Sequence, residues 1–212
     1  MTGLASHIAQ ELTAEIAETG SAALAVPGGS TPGPIFDALS QVDLPWEKVS
    51  VLLGDERWVP ETSERSNTAL LRRRLLQNKA ARATLLPLYA PADRPEDRLN
   101  ELSQAIENVL PLSVCVMGMG ADMHTVSIFP EADLLAEAFA ADAPVLLPMR
   151  APGAPEPRIT LTARVLAGSK HRHILITGAE KRAALERAIL INDPMKAPIC
   201  AVLSGATIHW AD

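Results

Sequence analysis

The sequence predicts an α/β fold built on a mostly parallel sheet with helices on both faces. Three observations carry this. Short apolar runs alternate with amphipathic segments along all 212 residues. The apolar runs are nearly continuous rather than alternating, as expected of strands buried on both faces. They also end repeatedly in glycine-bearing polar stretches, "PGGST", "GDER", "GMGAD" and "TGAEK". In open α/β sheets a ligand sits beyond the carboxyl ends of the strands, so four such ends are expected to meet at one edge.

The elements follow in order. Leu4, Ile8, Leu12 and Ile16 recur every four residues and predict a first helix that stops near Gly20. "SAALAVPGG" is a strand, and "TPGPIFDALS" a helix starting near Pro32, a residue tolerated in a first turn. "KVSVLLGDE" predicts a strand, "RSNTALLRRRLLQNKA" a helix and "ATLLPLYA" a short strand. "PEDRLNELSQAIENVL" places Leu99, Leu102, Ile106 and Leu110 on one side of a helix. "LSVCVMGMG" is the next strand. Residues 140–157, rich in Pro and Ala, predict a long irregular loop and a candidate lid or rim. "PRITLTARVLAG" reads as a strand or hairpin arm, "HRHILITG" as a strand and "AEKRAALERAIL" as a helix. "APICAVLSGATIHWA" reads as a final pair of strands. No repeat or linker divides the chain, so residues 1–212 are expected to form one domain.

Bulk composition narrows the function. A net charge of −6 argues against a nucleic-acid binder, which carries a basic surface. Local cations can still bind an anionic small molecule against that background. No apolar run is long enough to span a bilayer, and the first residues lack the pattern of a secretory signal. No membrane association and a cytoplasmic location are therefore expected. Cys115 and Cys200 lie in runs read as strands and are expected to be buried hydrophobes. Neither belongs to a metal-binding spacing.

The strand ends hold the candidate chemistry. Gly28, Gly29, Ser30 and Thr31 precede a helix, where open N–H groups and hydroxyls suit an anion. Asp55, Glu56 and Arg57 follow an apolar strand and are expected to face a pocket, with Ser66 and Asn67 a little further on. Arg57 can fork an anionic oxygen. In "GMGADMHTVSIFP", Asp122 and His124 stand two residues apart after glycines, and imidazole is the side chain best suited to proton transfer at neutral pH. Lys181, in the first turn of a helix, and Arg158, at the start of a strand, are further anion contacts. Arg150 is a weaker candidate.

Together "GGSTP", "GDERWVP" with its following "SN", "GMGADMHTVSIFP", "PRITLT" and "TGAEK" resemble, in order and over nearly the whole chain, the glucosamine-6-phosphate isomerase/6-phosphogluconolactonase family. The resemblance implies a Rossmann-like three-layer α/β/α sandwich. It also implies hydrolysis of a small sugar-phosphate lactone, 6-phospho-D-glucono-1,5-lactone, with water as nucleophile and no metal or organic cofactor. His124 is then the base, supported by Asp122. Ser30, Thr31 and Lys181 hold the phosphate, and Arg57 lies near the phosphate or the reacting end. A monomer or weak homodimer is expected. Two alternatives remain: a deaminase acting on glucosamine 6-phosphate, and a sugar-phosphate-binding regulator without activity. "SIFP" and "DERWVP" favour the lactonase.

Met123 stands where the family pattern has glycine, and Ile128 stands for a leucine. The expectation is that residue 123 keeps an ordinary negative φ and that its flexible thioether lines the pocket wall near His124.

Overall fold

The structure, a computed structural model, describes residues 2–211. Helix α1 (Thr2–Thr19) leads into β1 (Ala22–Val26), α2 (Gly33–Ser40), β2 (Val49–Leu53) and β3 (Asp55–Arg57). Then come α3 (Asn67–Arg74), β4 (Thr84–Leu86), α4 (Leu99–Glu107) and β5 (Val114–Gly118). The chain continues through α5 (Leu135–Ala138), β6 (Leu146–Met149), β7 (Arg158–Leu161), α6 (Ala163–Ala167) and β8 (His171–Thr177). It closes with α7 (Gly178–Ile191), α8 (Cys200–Leu203) and β9 (Thr207–Ala211).

Six strands form one sheet in the order β4-β2-β1-β5-β8-β9, and every pairing in it is parallel. The strands β1 and β5 are buried almost throughout, which is why they read as unbroken apolar runs. Chain order runs outward from β1 to β2 and β4 on one side, and from β5 to β8 and β9 on the other. The sheet therefore has its switch point between β1 and β5, where a crevice opens at the carboxyl ends. "PGGST" and "GMGAD" flank that crevice.

A second sheet, β3-β7-β6, is antiparallel and accounts for three departures from expectation. "DER" is a strand in its own right, pairing Asp55 with Thr160, Glu56 with Ile159 and Arg57 with Arg158. Residues 140–157 are not one irregular loop, because β6 lies within them. Pro144 and Pro148 mask it, and proline is tolerated there because β6 is an edge strand. None of residues 140–157 lines the cavity described below, so the segment does not form its rim.

Two further readings change. "PRITLTARVLAG" is a strand only as far as Leu161; Thr162 bonds Pro144 O, and the strong helix formers that follow make α6. The first of the two final strands is α8, so Cys200 sits in a short helix and is only partly buried. Cys115 is fully buried in β5, and burial pushes its thiol up to about 12. The core lies between the sheet and its helices, with Trp46, Phe36, Ile8, Leu12 and Leu24 among its largest fully buried side chains.

Candidate active site

A cavity of about 410 Å³ opens at the switch point. Its lining brings together Gly28, Gly29, Ser30 and Thr31 after β1, Asp55 and Arg57 from β3, and Asn67 from α3. His124 comes from the loop after β5, Arg158 from β7 and Lys181 from α7. All four glycine-bearing strand ends thus contribute. Ser66 and Asp122 do not line the cavity.

Asp122 stands behind His124. Its Oδ1 lies 2.6 Å from His124 Nδ1 and accepts the His124 backbone N–H at 3.3 Å. Donation from Nδ1–H to a carboxylate leaves the Nε2 lone pair free, which is the form a general base needs. The same hydrogen bond holds the Asp122 carboxyl below the usual carboxylate range. Phe129 packs against the imidazole with ring centroids 4.4 Å apart, and the Arg158 guanidinium lies 5.8 Å from the same phenyl ring. Gly120 makes room for the dyad: a Cβ there would fall 2.3 Å from His124 Nδ1 and 2.4 Å from Asp122 Oδ1.

The loop carrying the dyad is conformationally strained. Met123 has φ +68° and Val126 φ +47°. Left-handed backbone at a non-glycine residue costs on the order of 1–2 kcal/mol. The expected negative φ at Met123 is therefore overturned. So is its place in the wall: Met123 packs against the core, its carbonyl accepts from Ile199 N at 3.1 Å, and Met119 lines the cavity instead. The turn needs residue 123 left-handed to fold Asp122 back onto His124, and the resulting direction of its side chain is away from the ligand space.

Period-two alternation divides the three charges of β3. Asp55 and Arg57 face the cavity, whereas Glu56 is fully buried on the other side. Its carboxylate accepts from Arg57 N at 2.7 Å, Asn67 N at 2.9 Å and Thr68 N at 2.7 Å. It also accepts from the hydroxyls of Ser66 at 3.1 Å and Thr68 at 2.8 Å. A carboxylate at these amides complements the start of α3. Ser66 caps the same helix by accepting from Ala69 N at 3.1 Å. Asn67 is thereby pinned at the cavity wall, where Gly28 is bare to admit it: a Cβ on Gly28 would meet the Asn67 amide at 2.2 Å.

Three cations converge. Lys181 makes no ion pair or side-chain hydrogen bond among the described residues. Arg57 gives an Nη1 bond to Arg65 O at 2.6 Å, and its Nε is buried without a partner among the described residues. The Arg158 side chain makes no hydrogen bond among the described residues, its Nε is likewise buried without a partner there, and burial pushes its pKa down. Buried guanidinium N–H groups without acceptors are costly, and an anionic ligand would satisfy them. Arg150 lies elsewhere, paired with Glu96 at 2.7 Å. Sequence reasoning did not single out Phe129, Ser127 or Gly120. Phe129 had a signal: it is one of three phenylalanines in the chain and sits in the histidine segment.

A parallel α/β sheet with a cation-lined pocket and an Asp–His pair at its switch point defines a protein that handles an anionic small molecule. The family is narrower than that class. The model for glucosamine-6-phosphate isomerases/6-phosphogluconolactonase matches residues 1–210, and the chain belongs to this family. A 6-phosphogluconolactonase of Mesorhizobium japonicum is 44% identical over 214 residues, covering 98% of this chain and 89% of the relative. One from Pseudomonas aeruginosa is 40% identical over 211 residues, again covering 98% and 89%. The crystal structure of a 6-phosphogluconolactonase from Shewanella baltica superposes with a TM-score of 0.95 at 33% identity, covering 99% of this chain and 92% of that one.

Proposed function

We propose that the protein hydrolyses 6-phospho-D-glucono-1,5-lactone to 6-phospho-D-gluconate, the reaction of the oxidative pentose phosphate pathway. The observation that carries the reading is the Asp122–His124 pair beside a pocket with three cations open to a phosphate. The relatives named 6-phosphogluconolactonase, each matched over nearly the whole of this chain, support the substrate. The deaminase alternative shares the family, but no feature of this pocket favours it.

In this reading the lactone lies with its phosphate toward Ser30, Thr31, Lys181 and the start of α2. Arg158 is a second phosphate contact. The carbonyl carbon is presented to a water beside His124. Nε2 takes a proton from that water as its oxygen bonds to the carbonyl carbon. The tetrahedral oxyanion then collapses, the bond to the ring oxygen breaks, and the imidazolium returns its proton to that oxygen. Asp122 stays ionised throughout and stabilises the transient imidazolium. Arg57 lies where it can balance the negative charge of the intermediate or of the phosphate.

Each turnover yields an acid, so proton release in weak buffer follows the reaction. Because the lactone also opens unaided, the test compares initial rates with and without protein. A rate raised in proportion to protein supports the assignment; an unchanged rate at high protein overturns it.

A further inference from the structure

One buried hydroxyl joins the histidine loop to the anion-binding side of the cavity. Ser127 is 0% exposed, and its hydroxyl donates to Asp55 Oδ2 at 2.5 Å, the length of a strong bond to a carboxylate. Its amide donates to Thr160 Oγ1 at 3.3 Å, and Thr160 is the register partner of Asp55 across β3 and β7. Arg158, two residues before Thr160, brings Nη1 to 4.0 Å from the same Asp55 oxygen. That is beyond hydrogen-bond reach.

The spacing calls for an explanation. Asp55 and Arg158 are both largely buried, with side chains 11% and 12% exposed. An aspartate beside an arginine in such surroundings ordinarily closes into a forked pair at about 2.7–2.9 Å. Here the guanidinium keeps its donors open, its Nε has no acceptor, and Asp55 spends its nearer oxygen on a hydroxyl. Asp55 still opposes the loss of charge that burial would impose on Arg158. A carboxylate at 4 Å supports the cation electrostatically without occupying its hydrogen-bonding edge.

We propose that Ser127 is a positioning residue that restrains the Asp55 carboxylate, so that Arg158 keeps its N–H donors free to bind the phosphate of the substrate. This rests on the reading of the cavity as a sugar-phosphate site and adds to it the device that keeps one of its cations available. Without the hydroxyl, Asp55 loses a donor and gains it back by closing on Arg158. The internal ion pair then competes with the ligand.

The test is titration calorimetry with inorganic phosphate and with 6-phospho-D-gluconate, together with KM and kcat for the lactone. Ser127→Ala is expected to weaken both ligands and raise KM about tenfold, the scale of one charge-assisted hydrogen bond lost, while kcat moves little. Ser127→Ala combined with Asp55→Asn is expected to regain the wild-type Kd, because an amide cannot neutralise Arg158. Wild-type affinity in Ser127→Ala, or equal weakening in the single and double variants, overturns the proposal. Asp55→Asn alone keeps the question decidable if Ser127→Ala does not fold: it should bind phosphate at least as tightly as wild type, and weaker binding counts against the role. Phosphate binding reads the cation site whatever the enzyme turns over. Failure of lactone turnover with this binding pattern intact would therefore sink the activity and leave the role of Ser127 standing.

Discussion

Asp122 Oδ1 accepts twice from His124, from Nδ1 at 2.6 Å and from the backbone N–H at 3.3 Å. The residue between them, Met123, is left-handed, and that turn is what folds the carboxylate back over its neighbour. Both contacts set the imidazole: the first selects the tautomer, and the second ties the carboxylate to the backbone that carries the ring.

Asp122→Asn keeps the shape and removes the charge. The amide can present its NH₂ to Nδ1 and trap the wrong tautomer, with the proton on Nε2. We expect kcat to fall substantially, though less than on loss of the imidazole, with little change in the affinity for 6-phosphogluconate. Steady-state kinetics beside calorimetry checks this. A wild-type kcat in Asp122→Asn would show that the carboxylate does not govern the base.

Met123→Gly should stabilise the protein. It relieves roughly 1–2 kcal/mol of left-handed strain. Against this stand about 0.4–1 kcal/mol of added freedom in the unfolded chain and some lost packing of the thioether on the core. The net expectation is a gain of up to about 1 kcal/mol, seen as a Tm higher by roughly 2–4 °C for a chain of this size. A clear fall in Tm would mean that the packing of Met123 outweighs its strain.

Glu56→Gln should destabilise strongly. The five groups around the carboxylate are all donors, so an amide NH₂ must face at least one of them. Loss of one charge-assisted bond, with the unmet backbone N–H it leaves, corresponds to about 2 kcal/mol or more. Because Arg57 and Asn67 hang from the same network, KM should rise as well. Denaturant unfolding and kinetics on the folded fraction check both.

Acid should weaken the edge of the main sheet. His209 on β9 lies 3.0 Å from His173 on β8, and His173 in turn lies 2.8 Å from Glu11 on α1. His7 and His171 also contact Glu11, at 3.1 and 3.3 Å. Burial, then the His173 and His7 imidazoles, hold the His209 pKa below its ordinary value, with Glu11 opposing them. The unfolded chain therefore takes up this proton first. The contribution of His209 to stability is full above about pH 6.5 and is progressively lost below it, until the folded state is protonated too. Tm measured from pH 7.5 to 5 should fall, and His209→Gln should flatten the decline. An identical slope in that variant would remove His209 from the effect.

Much of this architecture was legible because it is local. Leu4, Ile8, Leu12 and Ile16 announce α1, and the glycine-bearing ends of β1, β2, β5 and β8 announce the crevice they form. Direction and partnership were less legible. Asp55, Glu56 and Arg57 form one charged cluster in sequence, and only their place in a strand turns Glu56 away from the ligand space. β6 was masked by prolines that an edge strand tolerates. Met123 adopts a left-handed backbone because the turn between Asp122 and His124 fixes φ more strongly than the side chain resists it. The link from Ser127 to Asp55 spans 72 positions, and no local pattern encodes it.

The most direct measurement is the initial rate of acid release from 6-phospho-D-glucono-1,5-lactone under matched conditions without protein, with wild type, and with His124→Asn. General acid–base catalysis contributes on the order of 10²–10⁴-fold. Wild type should raise the rate well above the spontaneous reaction. Folded His124→Asn should lose that order of turnover while still binding 6-phosphogluconate by calorimetry. Near wild-type turnover in the folded variant, or no acceleration by wild type, would contradict the account.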